Sequence, residues 1–185
     1  MTKRIIQKRE RIFIAAEGES EQSFIKWLQQ LSDNQGLHIH LDCQVLGGGG
    51  YQTMLKKAIR ERKRKERNNA KFSILLVDSD RADRRDDGWT LLQLREQASS
   101  KSIVVCVQNP NLEGILLRML PNSERLRPSG DKTHGQLYHA WPEYQKPADA
   151  RTLAAKFSVE DLLRVAKVDL ELNVFLSMIG LSRGF

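Results

Sequence analysis

The sequence has few cysteines and lacks any long apolar stretch. Only two cysteines occur in 185 residues, Cys43 and Cys106, and both lie in short apolar segments, where a free thiol behaves as a small buried hydrophobic group. No apolar run approaches the roughly 20 residues that cross a bilayer. The basic N-terminus is followed only by IFIAA (12–16), which is too short for the apolar region of a signal peptide. These absences predict a cytoplasmic protein with no membrane-spanning segment and no structural disulfide.

Several catalytic and ligand-binding signatures are also missing. There is no G-x-S-x-G nucleophile elbow. The glycine run GGGG (47–50) lacks the Lys-Ser/Thr that completes a P-loop, so we interpret it as a flexible hinge between a strand and a helix. His38, His40 and Cys43 do not suggest zinc, because alternation along a strand places the cysteine on the opposite face from the histidines. A haloacid-dehalogenase phosphatase would have Thr or Val where Ala82 stands.

Positive charge is in excess and is unevenly distributed. The chain has 30 Lys and Arg residues against 23 Asp and Glu residues, a net charge of +7, which favours polyanionic partners because Lys and Arg neutralise phosphates. Much of the excess lies in KRIIQKRER (3–11) and KKAIRERKRKER (56–67). The second segment is either a solvated helix face or a phosphate-contacting one, with Lys63, Arg64 and Arg67 as the nucleic-acid-binding residues.

Strand-like runs and helical patterns alternate from residue 11 onward. The predicted strands cover residues 11–17, 38–46, 71–78 and 102–108. The predicted helices cover residues 21–32, 51–67, 88–98 and 112–120. Strict alternation implies parallel pairing through right-handed crossovers, so we expect an α/β fold with a mostly parallel sheet of about four strands flanked by helices.

The C-terminal third is less regular. Residues 121–147 contain Pro, Gly, Ser and charged residues without a period and predict a long surface loop. Ser158 and Asp161 form a capping-box pattern before a helix at 159–167, and a further apolar helix is expected at about 170–179. We therefore expect one domain over residues 1–150 and a helical pair packed on it in 151–185.

Four acidic residues stand where two predicted strands end. Glu17 and Glu21 follow the first strand, Asp78 ends the third, and Asp80 should share one face of an extended segment with Asp78. Ligands of open α/β sheets bind outside the carboxyl ends of the strands, so both pairs should meet at one edge. Carboxylate oxygens are the protein ligands that Mg²⁺ prefers. The placement predicts a magnesium site for phosphoryl chemistry, whereas a glycosyltransferase Asp-x-Asp motif would leave the glutamates unexplained.

A fifth carboxylate, Glu113, follows the fourth strand in NPNLEG (109–114). In that segment Asn109 is a candidate N-cap and Pro110 suits the first helical position. Five carboxylates at one edge would repel one another strongly unless one or two divalent cations neutralised them. Taken singly, Glu21 or Glu113 could be a helix-start carboxylate that the macrodipole favours, and the aspartates could form a turn.

Three segments resemble the motifs of a known family. EGESEQSF (17–24), LLVDSD (75–80) and QNPNLEGILLRML (108–120) look like the three motifs of RloB-like proteins. These proteins belong to the Toprim group, together with topoisomerases, DnaG-type primases and the overcoming-lysogenisation-defect nucleases. The resemblance covers about residues 11 to 146 and implies a Toprim-like domain. One segment departs from the pattern, because ILLRML (115–120) stands where the family has WLLLHF.

The resemblance also implies roles for individual residues. Glu17 would be a metal ligand or general acid/base, and Asp78 and Asp80 would bind divalent metal. Glu21 and Glu113 match the acidic residues that complete a two-metal site in the related nucleases. In EYQK (143–146), Lys146 matches a Tyr-x-Lys segment and would neutralise phosphate charge, although an exposed loop lysine is the simpler reading.

These observations lead to two functional hypotheses. The first is a Mg²⁺- or Mn²⁺-dependent nuclease of prokaryotic defence, in which one ion activates water, a second stabilises the leaving oxygen and Glu17 handles protons. The second is a non-catalytic module that binds nucleic acid or nucleotides within a larger defence complex and its partner proteins.

Overall fold

The computed structural model describes residues 8–64, 69–81 and 88–182, which form four strands and eight α-helices. The strands are β1 (Glu10–Ala16), β2 (Ile39–Val45), β3 (Phe72–Asp78) and β4 (Val104–Gln108). The helices are α1 (Glu19–Asn34), α2 (Tyr51–Arg62), α3 (Leu91–Ser99), α4 (Leu112–Met119), α5 (Thr133–Ala140), α6 (Ala150–Lys156), α7 (Val159–Ala166) and α8 (Leu170–Met178). A short 3₁₀ turn, Ser79–Arg81, follows β3 directly.

All four strands are parallel and lie in the order β2-β1-β3-β4. In the register of the sheet, Ile14 of β1 lies between Cys43 and Ile74. The predicted α/β class and the mostly parallel sheet of about four strands are therefore confirmed. A parallel sheet places the ends of all its strands at one side, which we call the carboxyl edge; the opposite side is the amino edge.

Helices cover both faces of the sheet. On one face, Ile12 and Ile14 of β1 pack with α1 and with the helices α4 to α8, and Trp27 is fully buried there. On the other face, Phe13 packs with α2 and α3, and Met54 is buried with it. Burying one such side chain contributes about 1.5 to 3 kcal/mol. The continuous apolar runs of the strands are explained by this burial on both faces.

The C-terminal third contains more helix than the sequence predicted. The long surface loop predicted at 121–147 is wrong, because it contains α5, which packs against α4 through Leu137. Three helices rather than two follow residue 150, since α6 precedes the predicted pair. Both missed helices have eight residues or fewer and bury a single large apolar side chain each, Leu137 and Leu153, so they carry almost no periodic signal.

Two of the smaller expectations hold. The Ser158 hydroxyl accepts a hydrogen bond from the Asp161 amide, so the predicted capping box begins α7. Cys43 and Cys106 are both free, and burial raises the pKa of each thiol to about 12. Burial therefore favours the protonated form of both thiols at neutral pH. Among the described helices, none is long and apolar enough to cross a membrane.

Candidate metal centre

A cavity of about 420 Å³ opens at the carboxyl edge of the sheet. It brings together all five predicted carboxylates and the predicted lysine. The lining residues are Glu17, Gly18, Glu19, Ser20, Glu21, Asp78, Asp80, Asn111, Glu113, Lys146 and Pro147. These residues come from the ends of β1 and β3, the start of α4 and the segment after α5, so the parallel topology assembles the cavity from distant parts of the chain.

The β1–α1 turn supplies the two glutamates. Glu17 follows β1 directly, and the buried carboxylate of Glu21 accepts a hydrogen bond from the Gly18 amide at 3.0 Å, which begins α1. Burial raises the pKa of Glu21, and the charge of Glu113 raises it further, although backbone hydrogen bonds oppose this. Glu21 therefore has the helix-start role that its position suggested, and it also faces the cavity.

The glycine run lies beside Glu17. The amides of Gly47 and Gly48 donate to the Glu17 carbonyl oxygen at 3.0 and 3.3 Å. Both glycines have positive φ angles, 71° and 70°, which other residues rarely adopt. A Cβ atom at Gly48 would lie 3.6 Å from Glu17 Oε1, so the run brings bare backbone to the cavity wall.

Asp78 is the most perturbed group of the cavity. Its Oδ1 atom is fully buried, and the residues that the structure describes offer it no hydrogen-bond partner. Burial, followed by the negative charges of Glu21, Glu17, Asp80 and Glu113, raises the pKa of Asp78 to about 8. A buried, ionised carboxyl oxygen without a partner is costly; a bound proton relieves that cost, and a nearby cation would relieve it in the ionised form.

Asp80 lies in the 3₁₀ turn after β3 and not in an extended segment. The strand ends at Asp78, so the prediction that both aspartates share one face of an extended segment is wrong. The Asp80 amide donates to the Pro110 carbonyl oxygen at 3.2 Å, and its carboxylate accepts from Asn111 Nδ2 at 2.9 Å. Gly130 packs against this side chain so closely that a Cβ atom there would overlap it. Both aspartates nevertheless line the cavity.

Helix α4 begins at Leu112, as predicted, but a different residue caps it. Its N-cap is Asn111, whose side chain accepts from the Gly114 amide at 3.0 Å, and not Asn109. Asn109 instead accepts a hydrogen bond from the Ser79 hydroxyl at 2.9 Å. Glu113 lies in the first turn of α4, buried and facing the cavity. Asn111 was missed as a site residue because its spacing is that of an ordinary cap.

Glu113 has two partners from the segment after α5. Lys146 Nζ lies 2.5 Å from Glu113 Oε1, and the Tyr144 hydroxyl donates to the same oxygen at 3.3 Å. Burial lowers the pKa of Lys146, but the hydrogen bond and charge of Glu113 outweigh it, and the net pKa is raised. Burial and the charge of Glu113 also raise the pKa of Tyr144. The lysine is therefore a protonated member of the cavity, and Tyr144 is a member that the motif analysis did not assign.

The predicted nucleic-acid-binding residues lie elsewhere. The predicted helix at 51–67 ends at Arg62, so Lys63 and Arg64 follow it; Arg67 lies outside the described residues. A helix of 12 residues spans about 18 Å, and Arg62 donates to the carbonyl oxygens of residues 101 and 102, just before β4. Lys63 and Arg64 therefore lie at the amino edge, opposite the cavity, and Arg64 forms an ion pair with Glu61 at 3.2 Å.

The side chains that line the cavity are oxygen donors of the type that divalent cations take, but they do not converge on a single point. In residues 8–64, 69–81 and 88–182, no group of three His, Cys, Asp or Glu side chains is arranged closely enough to hold a metal ion. The carboxylates instead surround the cavity, and one of them, Asp78, has an unpartnered buried oxygen. Hard oxygen donors of this kind suit Mg²⁺ or Mn²⁺, with Glu17, Asp78 and Asp80 as the residues nearest to the two strand ends.

Comparisons with known proteins do not identify a family for this chain. No family model, no curated protein and no solved structure matches the chain. The similarity to RloB-like and Toprim proteins therefore stays a prediction carried by three short motifs.

Proposed function

We propose that the protein is a Mg²⁺- or Mn²⁺-dependent phosphodiesterase that hydrolyses nucleic acid. The observation that carries this proposal is the buried, unpartnered Oδ1 atom of Asp78 in a cavity that other carboxylates also line. Without a cation, the cavity is lined by five further carboxylates, Glu19 among them, and one lysine, and the charge of Lys146 balances only one of them. A divalent cation offsets the remaining repulsion better than any neighbouring side chain does.

The residues of the cavity have separate roles in this proposal. Glu17, Glu21, Asp78, Asp80 and Glu113 would hold the metal, which when bound supplies Lewis-acid stabilisation of charge on the phosphate oxygens. Glu17 accepts the proton of the attacking water. Lys146 moves from Glu113 to a phosphate oxygen of the substrate and neutralises part of its charge.

The charge of the whole chain supports a polyanionic substrate. A net charge of +7 attracts nucleic acid, whereas the carboxylates at the carboxyl edge alone would repel it. Metal at this edge would therefore be required for the substrate to approach as well as to react. The three motif resemblances support a setting in prokaryotic defence against foreign nucleic acid.

The test is cleavage of labelled DNA and RNA, single- and double-stranded, in Mg²⁺, in Mn²⁺ and in EDTA. We expect metal-dependent cleavage of at least one substrate and loss of cleavage in Asp78→Asn. Glu96→Gln is the matched control, because it removes the same charge from an exposed position on α3, away from the carboxyl edge. Cleavage that persists in Asp78→Asn or in EDTA would contradict the proposal.

A second candidate is a non-catalytic module that binds nucleic acid or nucleotides in a larger defence complex. The Lys146–Glu113 contact favours it, since a lysine already occupies part of the space around the acidic residues. It predicts that the chain binds nucleic acid with the same affinity in EDTA and in Mn²⁺ and cleaves none of the substrates under either condition.

A further inference from the structure

A buried ion pair lies behind the candidate metal centre. Arg118 of α4 and Asp169, the N-cap of α8, are each 3 % exposed, and Arg118 Nη2 lies 2.6 Å from Asp169 Oδ2. Two charges in an apolar layer are expensive to desolvate, so a buried pair is weak evidence for stability alone. Arg118 lies in ILLRML, the segment that departs from the family pattern. Its other contacts suggest a second role.

Arg118 also holds the loop that precedes α4. The same Nη2 atom donates to the Asn109 carbonyl oxygen at 3.0 Å, and Nε donates to the Gly114 carbonyl oxygen at 3.2 Å. The guanidinium group therefore connects the loop, the first turn of α4 and the N-terminus of α8. A lysine in its place has a single nitrogen and cannot form the same planar fork.

The loop in turn holds the turn that carries Asp80. The amides of Ser79 and Asp80 both donate to the Pro110 carbonyl oxygen, at 2.9 and 3.2 Å. The Ser79 hydroxyl donates to Asn109 Oδ1 at 2.9 Å. Two hydrogen bonds and the Asn109–Pro110 backbone between them therefore connect the buried ion pair to the backbone of Asp80.

We propose that Arg118 is a positioning residue for the metal centre and acts through the Asn109–Pro110 loop on Asp80. The inference rests on the proposed function, because it takes Asp80 to be a metal ligand. Asp78 depends less on this path, since its backbone is held by pairing with β4. Outer groups that orient ligands typically change metal affinity about 10- to 100-fold when they are removed.

The competing explanation is that Arg118 only fastens α8 to α4. Arg164 of α7 provides a matched control, because it also joins a C-terminal helix to α4. Its guanidinium donates to the Met119 carbonyl oxygen at 2.8 Å and pairs with Glu124 at 2.9 Å. Those contacts lie at the far end of α4 from Asp80.

The experiment measures Mn²⁺ affinity by electron paramagnetic resonance and exchange of the Ser79 and Asp80 amides by NMR. In Arg118→Lys we expect about 10-fold weaker Mn²⁺ binding, together with faster exchange of both amides. In the Asp80→Asn background, Arg118→Lys should have little further effect on Mn²⁺ affinity, because both changes act through the same ligand. Arg164→Met should lower stability but leave both readouts unchanged.

The outcomes separate this inference from the proposed function. Three results would overturn the role of Arg118. Mn²⁺ affinity could be unchanged in Arg118→Lys, the affinity losses of Arg118→Lys and Asp80→Asn could add, or Arg164→Met could lose as much Mn²⁺ affinity as Arg118→Lys. Failure of the wild-type protein to bind Mn²⁺ would overturn the proposed function and the role of Arg118 with it. If Arg118→Lys does not fold, Ser79→Ala removes the hydroxyl bond that joins the turn of Asp80 to Asn109 in the same loop. Ser79→Ala should weaken Mn²⁺ binding by less than about 10-fold and should have little further effect in the Asp80→Asn background. Unchanged Mn²⁺ affinity in Ser79→Ala would overturn the inference.

Discussion

Lys146 and Glu113 form an ion pair in which the two partners differ greatly in exposure: the lysine side chain is 53 % exposed and the glutamate 5 %. The glutamate is therefore the partner that depends on the contact, because its charge is buried whether or not the lysine stays. The lysine can move into solvent or towards a ligand. This asymmetry makes Lys146 a group that a cation or a phosphate can displace.

Removal of the lysine should destabilise the metal-free protein and should matter less when metal is bound. We expect Lys146→Met to lower the free energy of unfolding by about 1 kcal/mol, since solvent already screens much of the exposed lysine. Mn²⁺ should restore most of this loss by replacing the missing positive charge. Urea unfolding with and without Mn²⁺ measures both effects. Lys101→Met, at the amino edge, should show no recovery with Mn²⁺.

Metal should stabilise the folded protein through Asp78. At a concentration of about 100 times Kd, a ligand that binds only the folded state adds about 2.7 kcal/mol. For a chain of this size, that raises Tm by several degrees. Asp78→Asn should abolish the rise in Tm with Mg²⁺ or Mn²⁺. Equal metal affinity of the wild type and Asp78→Asn in a calorimetric titration would remove Asp78 from the ligand set.

The metal-free protein should become less stable as the pH rises. Burial and neighbouring carboxylates raise the pKa of Asp78 from 3.8 to about 8, so between these values the folded state binds a proton that the unfolded state has lost. The stability that this proton contributes is therefore fully present below about pH 4. It is lost as pH rises towards 8, by at most about 1.4 kcal/mol per pH unit. The raised pKa of Glu21 acts in the same direction.

Urea unfolding in EDTA from pH 5 to pH 8 checks this dependence. The wild type should lose stability more steeply than Asp78→Asn, which cannot bind or release that proton. Parallel pH profiles for the two proteins would mean that Asp78 is ionised throughout this range.

The basic segment after α2 should affect nucleic-acid binding without affecting metal. If Lys63, Arg64 and Arg67 contact phosphate, replacing all three with Gln should reduce the slope of log K against log salt concentration by about 0.7 to 0.9 per contact. Mn²⁺ affinity should not change, because Lys63 and Arg64 lie at the opposite edge from the carboxylates.

Fluorescence titration at several salt concentrations measures that slope. A control variant with Lys26, Arg151 and Lys156 replaced by Gln removes the same charge from exposed positions of α1 and α6. Equal reductions of the slope in the two variants would indicate that net charge, rather than a defined contact, determines the affinity.

Long periodic signals made the fold predictable, and short or non-local ones did not. The β-branched runs that became β1 and β3 identified both the strands and the edge at which Glu17 and Asp78 lie. The partners of Glu113 were harder to assign, because Tyr144 and Lys146 follow a segment of little apolar pattern and reach the site only through the packing of α5 on α4. The basic helix was predicted as one continuous surface, but the sequence does not indicate at which edge that surface lies.

The all-parallel sheet divides the connections of the chain into two sets. The turns after the strands, such as 17–18 and 79–81, carry carboxylates, whereas the turns before the strands, such as 35–38 and 100–103, lie a full strand length away. Gln35 is exposed there and has an ordinary negative φ angle, −86°, so another side chain fits at that position without backbone strain. A fluorescent label or affinity tag can therefore be attached at such a turn without displacing any group of the candidate metal centre.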